Sequence, residues 1–396
     1  MLEIAFNYAW ILIQLAIGYN LVLPLLLFLL YFFLKRTSII EMRHYAGDYA
    51  VIVTAFEHID LLPETVESIL NLNYPNYLVY VVADKCDVSN LHFDDPRVIL
   101  LKPETILASN TRSHLYAFKN FKREHNRVSI IDSDNIVHTE FLNELEKWFA
   151  KGFKAVQGYR RAKNLNTTYA CLDAARDIYY HFYDGKVLFA LGSSATLAGS
   201  GMAFTTDIYK SFLENHDIKG AGFDKVLQFD IVRKNQRIAF AECAIVYDEK
   251  IAETDQLVNQ RSRWINTWFR YFRFGFALIS SGIKSFSWNQ LLFGIILLRP
   301  PLFIFLILSL LFLIVNLVIS VTAAIVWAVA IFCFLIGFAF ALANSVVDRK
   351  IYRSLLGIPQ FVFYQVLSLF KIATLSKRSV STRHSHTSVQ HDEKPY

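Results

Sequence analysis

Val128-Ser-Ile-Ile-Asp-Ser-Asp134 is an apolar, β-branched run that stops abruptly on two carboxylates one residue apart. The run predicts a buried strand, and the polar turn after it puts Asp132 and Asp134 at the strand's carboxyl end. In a parallel α/β sheet ligands sit at those ends. Two hard oxygen donors there can hold Mg²⁺ or Mn²⁺ while the cation grips a diphosphate. An ordinary solvated loop has the same composition, so the reading depends on what surrounds it.

Upstream, Tyr49-Ala-Val-Ile-Val-Thr54, Tyr77-Leu-Val-Tyr-Val-Val-Ala83 and Val98-Ile-Leu-Leu101 read as strands, with a helix predicted from about Leu62 to Leu72. Between Asp48 and about Asp248 the polarity is that of a globular protein, and β-rich runs alternate with helical ones, the pattern of a mostly parallel α/β sheet. Asp84 and Asp87 follow the second strand, where an acid can hold a base or ribose or can simply shape a turn. Gly199-Ser-Gly-Met202 is a small-residue loop that lets backbone approach a sugar, or a tight turn. Gly222-Phe-Asp224 precedes a helix reaching about Asn235, so Asp224 is a candidate base or a helix cap. Gln260-Arg-Ser-Arg-Trp264 offers guanidinium donors for a diphosphate and an aromatic face for a sugar, and is also composed like an interfacial anchor.

The chain has 396 residues, enough for one catalytic domain and a few membrane helices. Its hydrophobic fraction of 54% and mean hydropathy of +0.32 exceed those of ordinary soluble domains, and the excess lies at the two ends. Tyr8 to Phe33 carries no charge, is too long for a signal-peptide core and follows Glu3, so residues 1–36 are expected to be a retained anchor. Lys35, Arg36 and Arg43 then put the polar domain, residues 37–264, on the cytoplasmic side, with the amino terminus outside.

Residues 265–289 mix rings and arginines and read as interfacial. Residues 290–345 hold two crossings, with Pro300-Pro301 near the start, and Asp348 to Arg353 return the chain to the cytoplasm. Residues 346–375 are expected to be a cytoplasmic interfacial helix, and 376–396 a polar tail. The four cysteines form no ligand cluster and are expected to be reduced. The net charge of +6 belongs partly to juxtamembrane residues that attract membrane lipids, and no basic stripe with stacking rings points to nucleic acid.

Taken in order, these segments resemble the membrane branch of the inverting family 2 glycosyltransferases, which includes cellulose, chitin, hyaluronan and poly-N-acetylglucosamine synthases. The resemblance covers Tyr49 to Trp264 and continues in the membrane layout. Its motifs correspond to Thr54-Ala-Phe-Glu57, Asp84, Asp132-Ser-Asp134, Gly199-Ser-Gly201, Gly222-Phe-Asp224 and the QxxRW pattern at Gln260 to Trp264. There are departures. Thr54-Ala-Phe-Glu57-His58 replaces P-x-Y-N-E, only Asp224 remains of the TED segment, and Arg112 stands where a lysine is usual.

The resemblance implies a nucleotide-sugar-binding, GT-A-like mixed, mostly parallel sheet domain with transmembrane and interfacial α-helices. It implies a nucleotide-sugar donor, UDP-linked first among the candidates, contacted by Thr54, Glu57, Asp84, Arg112 and Asp132. A Mg²⁺ or Mn²⁺ ion would sit on Asp132 and Asp134. Asp224 would be the base, Arg263 the partner of the leaving diphosphate, Gln260 an orienter and Trp264 the acceptor platform. The implied acceptor is a growing polysaccharide, with export or accessory subunits as further partners. Single-sugar transfer to a lipid-linked acceptor and an inert membrane scaffold are the alternatives.

Overall fold

The computed structural model describes residues 2–34, 46–251 and 254–375. Lys35, Arg36, Arg43 and the tail 376–396 lie outside the described residues. In chain order the elements begin with α1 (Leu2–Leu34), β1 (Tyr49–Phe56), α2 (Leu62–Leu70), β2 (Tyr77–Asp84), β3 (Val98–Leu101), α3 (Asn110–Lys119), β4 (Arg127–Asp132) and β5 (Ile136–Val137). There follow α4 (Phe141–Ala150), β6 (Ala155–Ala162), α5 (Thr168–Tyr180), a π-helix (His181–Val187), α6 (Leu188–Ala190), β7 (Met202–Thr205), α7 (Thr206–Asn215), α8 (Phe223–Arg233) and β8 (Ile238–Asp248). The remainder is helical: α9 (Thr254–Tyr271), α10 (Arg273–Lys284), α11 (Trp288–Leu297), α12 (Leu302–Ile319), α13 (Val321–Ala343), α14 (Arg349–Ser354) and α15 (Ile358–Leu375).

The strands form one mixed sheet in the order β3-β2-β1-β4-β7-β6-β8-β5. β3, β2, β1 and β4 are parallel neighbours, whereas β7 runs antiparallel between β4 and β6. The four strands read from the sequence are the parallel half. The other half was not read: β5 spans only two residues, and Gln157, Gly158, Arg160 and Arg161 interrupt the apolar pattern of β6. Thr54 pairs with Asp132 and Phe56 with Asp84, so the ends of β1, β2 and β4 stand side by side.

Both faces of the sheet are covered, which is why its strands read as unbroken apolar runs. Tyr49, Val51 and Val53 pack into one core with α2 and α4, while Ala50 and Ile52 belong to a second. The second core continues without a break into Leu21 and Leu27 of α1, Phe305 and Phe312 of α12, and Trp327 of α13. Among the described residues three helices are long and apolar enough to cross a membrane: Asn7–Leu34, Leu302–Ile319 and Val321–Ala343. They pack on one another through Trp10, Phe312 and Trp327, and Gln14 Oε1 accepts hydrogen bonds of 2.6 Å from both Asn316 Nδ2 and Trp327 Nε1.

The first carboxyl-terminal span thus starts at Leu302, later than the boundary at 290 expected from apolarity. Pro300 and Pro301 break the run, since proline supplies no backbone donor, and the preceding ten residues form the separate helix α11. Gly275 and Gly294 let α10 and α11 approach until a Cβ at either would lie 2.7–2.8 Å from the other's carbonyl oxygen. After a 3₁₀ turn at Leu355–Gly357 the chain is helical, as α15, which lies against α9.

Candidate functional site

A cavity of about 630 Å³ opens at the carboxyl end of β4 and is lined by Asp132, Asp134, Asp224, Gln260, Arg263 and Trp264. Six of the ten residues singled out from the sequence therefore meet, although 132 positions separate Asp132 from Trp264 along the chain. The cavity continues to Arg299, Pro300, Pro301, Leu302 and Phe303, where α12 begins.

The Asp132 to Asn135 turn is held by the glycine loop. The Asp132 amide donates to Ser200 Oγ at 3.0 Å, and Ser200 donates to Asn135 Oδ1 at 2.5 Å. Ser200 is fully buried, and Gly201 beside it adopts φ +67°, a conformation glycine enters without strain. Lys163 Nζ donates to the Asp134 carbonyl at 3.0 Å. With its backbone fastened, this turn presents two carboxylates one residue apart. That set fits a hard divalent cation that takes its other ligands from water and phosphate oxygens, as Mg²⁺ and Mn²⁺ do. Among the described residues no cluster of three or more His, Cys, Asp or Glu forms a ready-made metal cage.

Asp224 lies in the first turn of α8. The cap position is Gly222, at φ +103°, so the Asp224 side chain is not the helix cap. A Cβ on Gly222 would come 2.5 Å from the Tyr271 ring, which explains how α8 can begin tight against α9. The Asp224 carboxylate faces the cavity with Lys225 Nζ at 3.0 Å. On α9, Gln260 Oε1 is buried with no partner among the described residues. Burial pushes the Arg263 guanidinium pKa below its ordinary value.

Four expected nucleotide contacts are not part of the cavity lining. Asp84 is buried, and its oxygens accept the Leu107 and Ala108 amides at 3.0 and 2.7 Å, fastening the loop before α3. Glu57 pairs with Lys85 at 2.7 Å, and both residues have positive φ. Thr54 stands beside Asp132 in the strand register. Arg112 departs furthest from its expected place: its fork closes on Asp217 at 2.8 and 2.6 Å across to the loop after α7. A guanidinium matched bidentately to a carboxylate is not available to a phosphate.

Sequence reasoning missed a buried string of alternating charge in the wall of the cavity. Arg160 donates to Asp248 at 2.5 Å, and Lys250 donates to the other Asp248 oxygen at 2.7 Å and also to Asp177. Arg176 bridges Asp177 at 2.5 Å and Asp173 at 3.0 Å, and Arg261 closes on Asp173. Burial pushes the Asp173 carboxyl up to about 6, against the pull of Arg176. Burial likewise pushes His181 down to about 4, so it is neutral near pH 7. The one local signal was the placement of Asp173, Arg176 and Asp177 at i, i+3 and i+4 on an otherwise apolar helix. Arg261 and Arg176 both lie over the Trp264 ring, 4.1 and 4.4 Å from its centroid.

The profile of a family described as Glycosyltransferase like family 2 matches residues 46–267. No match was found among curated proteins. Among solved structures, the mannosyltransferase PcManGT from Pyrobaculum calidifontis, in complex with GDP-Man and Mn²⁺, is similar over 91% of this chain and 98% of its own, with 14% identity and a TM-score of 0.53. TarS 1-349 of S. aureus is similar over 63% of this chain and 89% of its own, with 13% identity and a TM-score of 0.39. At such identities the likeness to PcManGT is one of fold.

Proposed function

The chain belongs to the glycosyltransferase-like family 2, and from that membership we propose that it transfers a single sugar, with inversion, from a nucleotide-sugar donor to a lipid-linked acceptor at the cytoplasmic membrane face. The observation that carries this reading is the cavity that runs from Asp132 and Asp134 to Pro300–Phe303 at the head of a candidate membrane span. An acceptor anchored in lipid can enter at that end without leaving the membrane. Repeated extension of a polysaccharide asks for a polar conduit, and the three apolar helices instead pack directly on one another.

In the proposed reaction the acceptor hydroxyl attacks the anomeric carbon and gives its proton to Asp224. The bond from that carbon to the diphosphate oxygen breaks as the glycosidic bond forms, which inverts the centre. Arg263 neutralises charge on the departing diphosphate, and Trp264 supports the acceptor sugar. Asp132 and Asp134 would hold a divalent cation, which would add to the neutralisation of that diphosphate. The Mn²⁺ named with PcManGT accords with such use.

A donor screen on the purified protein, following release of nucleoside diphosphate and then sizing the product, tests this reading. One-sugar, lipid-soluble products are expected, chelation is expected to abolish turnover, and Mg²⁺ or Mn²⁺ to restore it. Turnover with no donor overturns the enzyme reading, and long polymers overturn the acceptor. Full activity of Asp134→Asn in chelator removes the cation.

The orientation has its own check. With the amino terminus outside and three spans, Val380→Cys is expected to react with an impermeant thiol reagent only from the cytoplasmic side. Labelling only from outside would mean that Ile358–Leu375 crosses the membrane as well.

A further inference from the structure

The charge string ends on a cation at each end, with four cations against three carboxylates. The Arg160 end faces Asp132, which offsets it. At the other end Arg261 is 3% exposed, and among the described residues only one of its three guanidinium nitrogens has a partner; Nε and Nη1 have none. A buried guanidinium with two unsatisfied nitrogens is costly to maintain in the absence of an anion. Arg261, Arg176 and Trp264 all line the cavity, in the same chamber that reaches Pro300–Phe303.

We propose that Arg261 and Arg176, under the Trp264 ring, form a subsite for the phosphate of the lipid-linked acceptor. The proposal rests on the reading of a lipid-linked acceptor given above and adds the group by which that acceptor is held. Trp264 lies over the face of the guanidinium at 4.1 Å, whereas hydrogen bonds to Nε and Nη1 are made in the guanidinium plane, so the indole does not compete for them. The phosphate then takes the two open Arg261 nitrogens in charge-assisted hydrogen bonds, and its charge completes the string. Arg263, two residues on, remains for the diphosphate of the donor, so that the α9 motif serves two anions with two arginines. A fork-shaped donor suits this role better than a lysine, because it can keep one bond to Asp173 while offering another edge.

The test uses the full chain in phosphatidylcholine nanodiscs, with farnesyl phosphate and farnesol as probes and no sugar donor present. Farnesyl phosphate is expected to bind at least about tenfold more tightly than farnesol, the worth of hydrogen bonds to a charged group. Arg261→Gln is expected to erase that preference, Arg261→Lys to restore part of it, and the affinity for UDP or GDP with Mn²⁺ to stay within about twofold in both variants. Equal binding of farnesol and farnesyl phosphate overturns the proposal. So does an Arg261→Gln variant that loses nucleoside diphosphate as strongly as lipid phosphate, which would assign Arg261 to the donor. Should Arg261→Gln fail to fold, competition on the unaltered protein decides: displacement of farnesyl phosphate by UDP or GDP overturns the subsite, and simultaneous binding supports it. Failure of the transferase reading shows separately, as no diphosphate release from any donor.

Discussion

Asp224→Asn is expected to lower sugar transfer by about 10²–10⁴-fold, the usual share of a general base, while nucleotide affinity stays within about twofold. The amide has nearly the shape of the carboxylate, so the loss cannot come from packing. Nor can it come from an undone helix start, because the cap of α8 is Gly222 and not the Asp224 side chain. The control is Asp230→Asn on the same helix. Asp230 is buried away from the cavity lining and accepts Lys234 Nζ at 2.8 Å and Arg233 at 3.4 Å, contacts that serve the helix alone. That substitution is expected to cost a few tenths of a kcal/mol of stability and little turnover. Turnover and donor affinity measured on both variants check the assignment, and a larger loss at 230 than at 224 would move the base elsewhere.

Lys250→Met is expected to destabilise the protein by up to about 3–5 kcal/mol, since it removes the cation between the buried carboxylates of Asp177 and Asp248 and leaves each with a single arginine, Arg176 and Arg160. Lys250 is 2% exposed and bonds both. For a domain of this size the loss corresponds to a melting temperature lower by roughly 6–20 °C. The pair Lys250→Met/Asp177→Asn is expected to recover part of it, because the repulsion between the two facing carboxylates is then gone. Thermal melting of the three proteins in one detergent checks this, and an unchanged transition in Lys250→Met would mean that the string is not an energetic unit.

The parallel half of the sheet was legible because its information is local. Apolar runs at Tyr49–Phe56, Tyr77–Asp84 and Arg127–Asp132 are long enough to show a buried strand, and the acids that follow them must then lie at the carboxyl ends. Asp132, Asp134, Asp224, Gln260, Arg263 and Trp264 were readable for a related reason: each belongs to a short motif whose order along the chain carries meaning. Arg112 was readable as a motif position but not as a contact. Its partner, Asp217, is 105 positions away, and nothing in the local sequence marks it.

By itself, then, the sequence determined that this chain has a mostly parallel α/β domain flanked by apolar helices, and it marked the short motifs that the fold brings to one cavity. Apolar periodicity and run length act over a few residues, so the chain carries them openly. Only the tertiary structure decided that helix α12 begins after Pro301, that Asp84 and Arg112 are engaged by the protein itself, and that the cavity reaches the head of α12. It alone assembled the charge string, in which Arg160 meets Asp248 and Asp173 meets Arg261, each across 88 positions. A buried charge is tolerated only where its partners converge on it, and that convergence exists only once β6, α5, β8 and α9 have packed together.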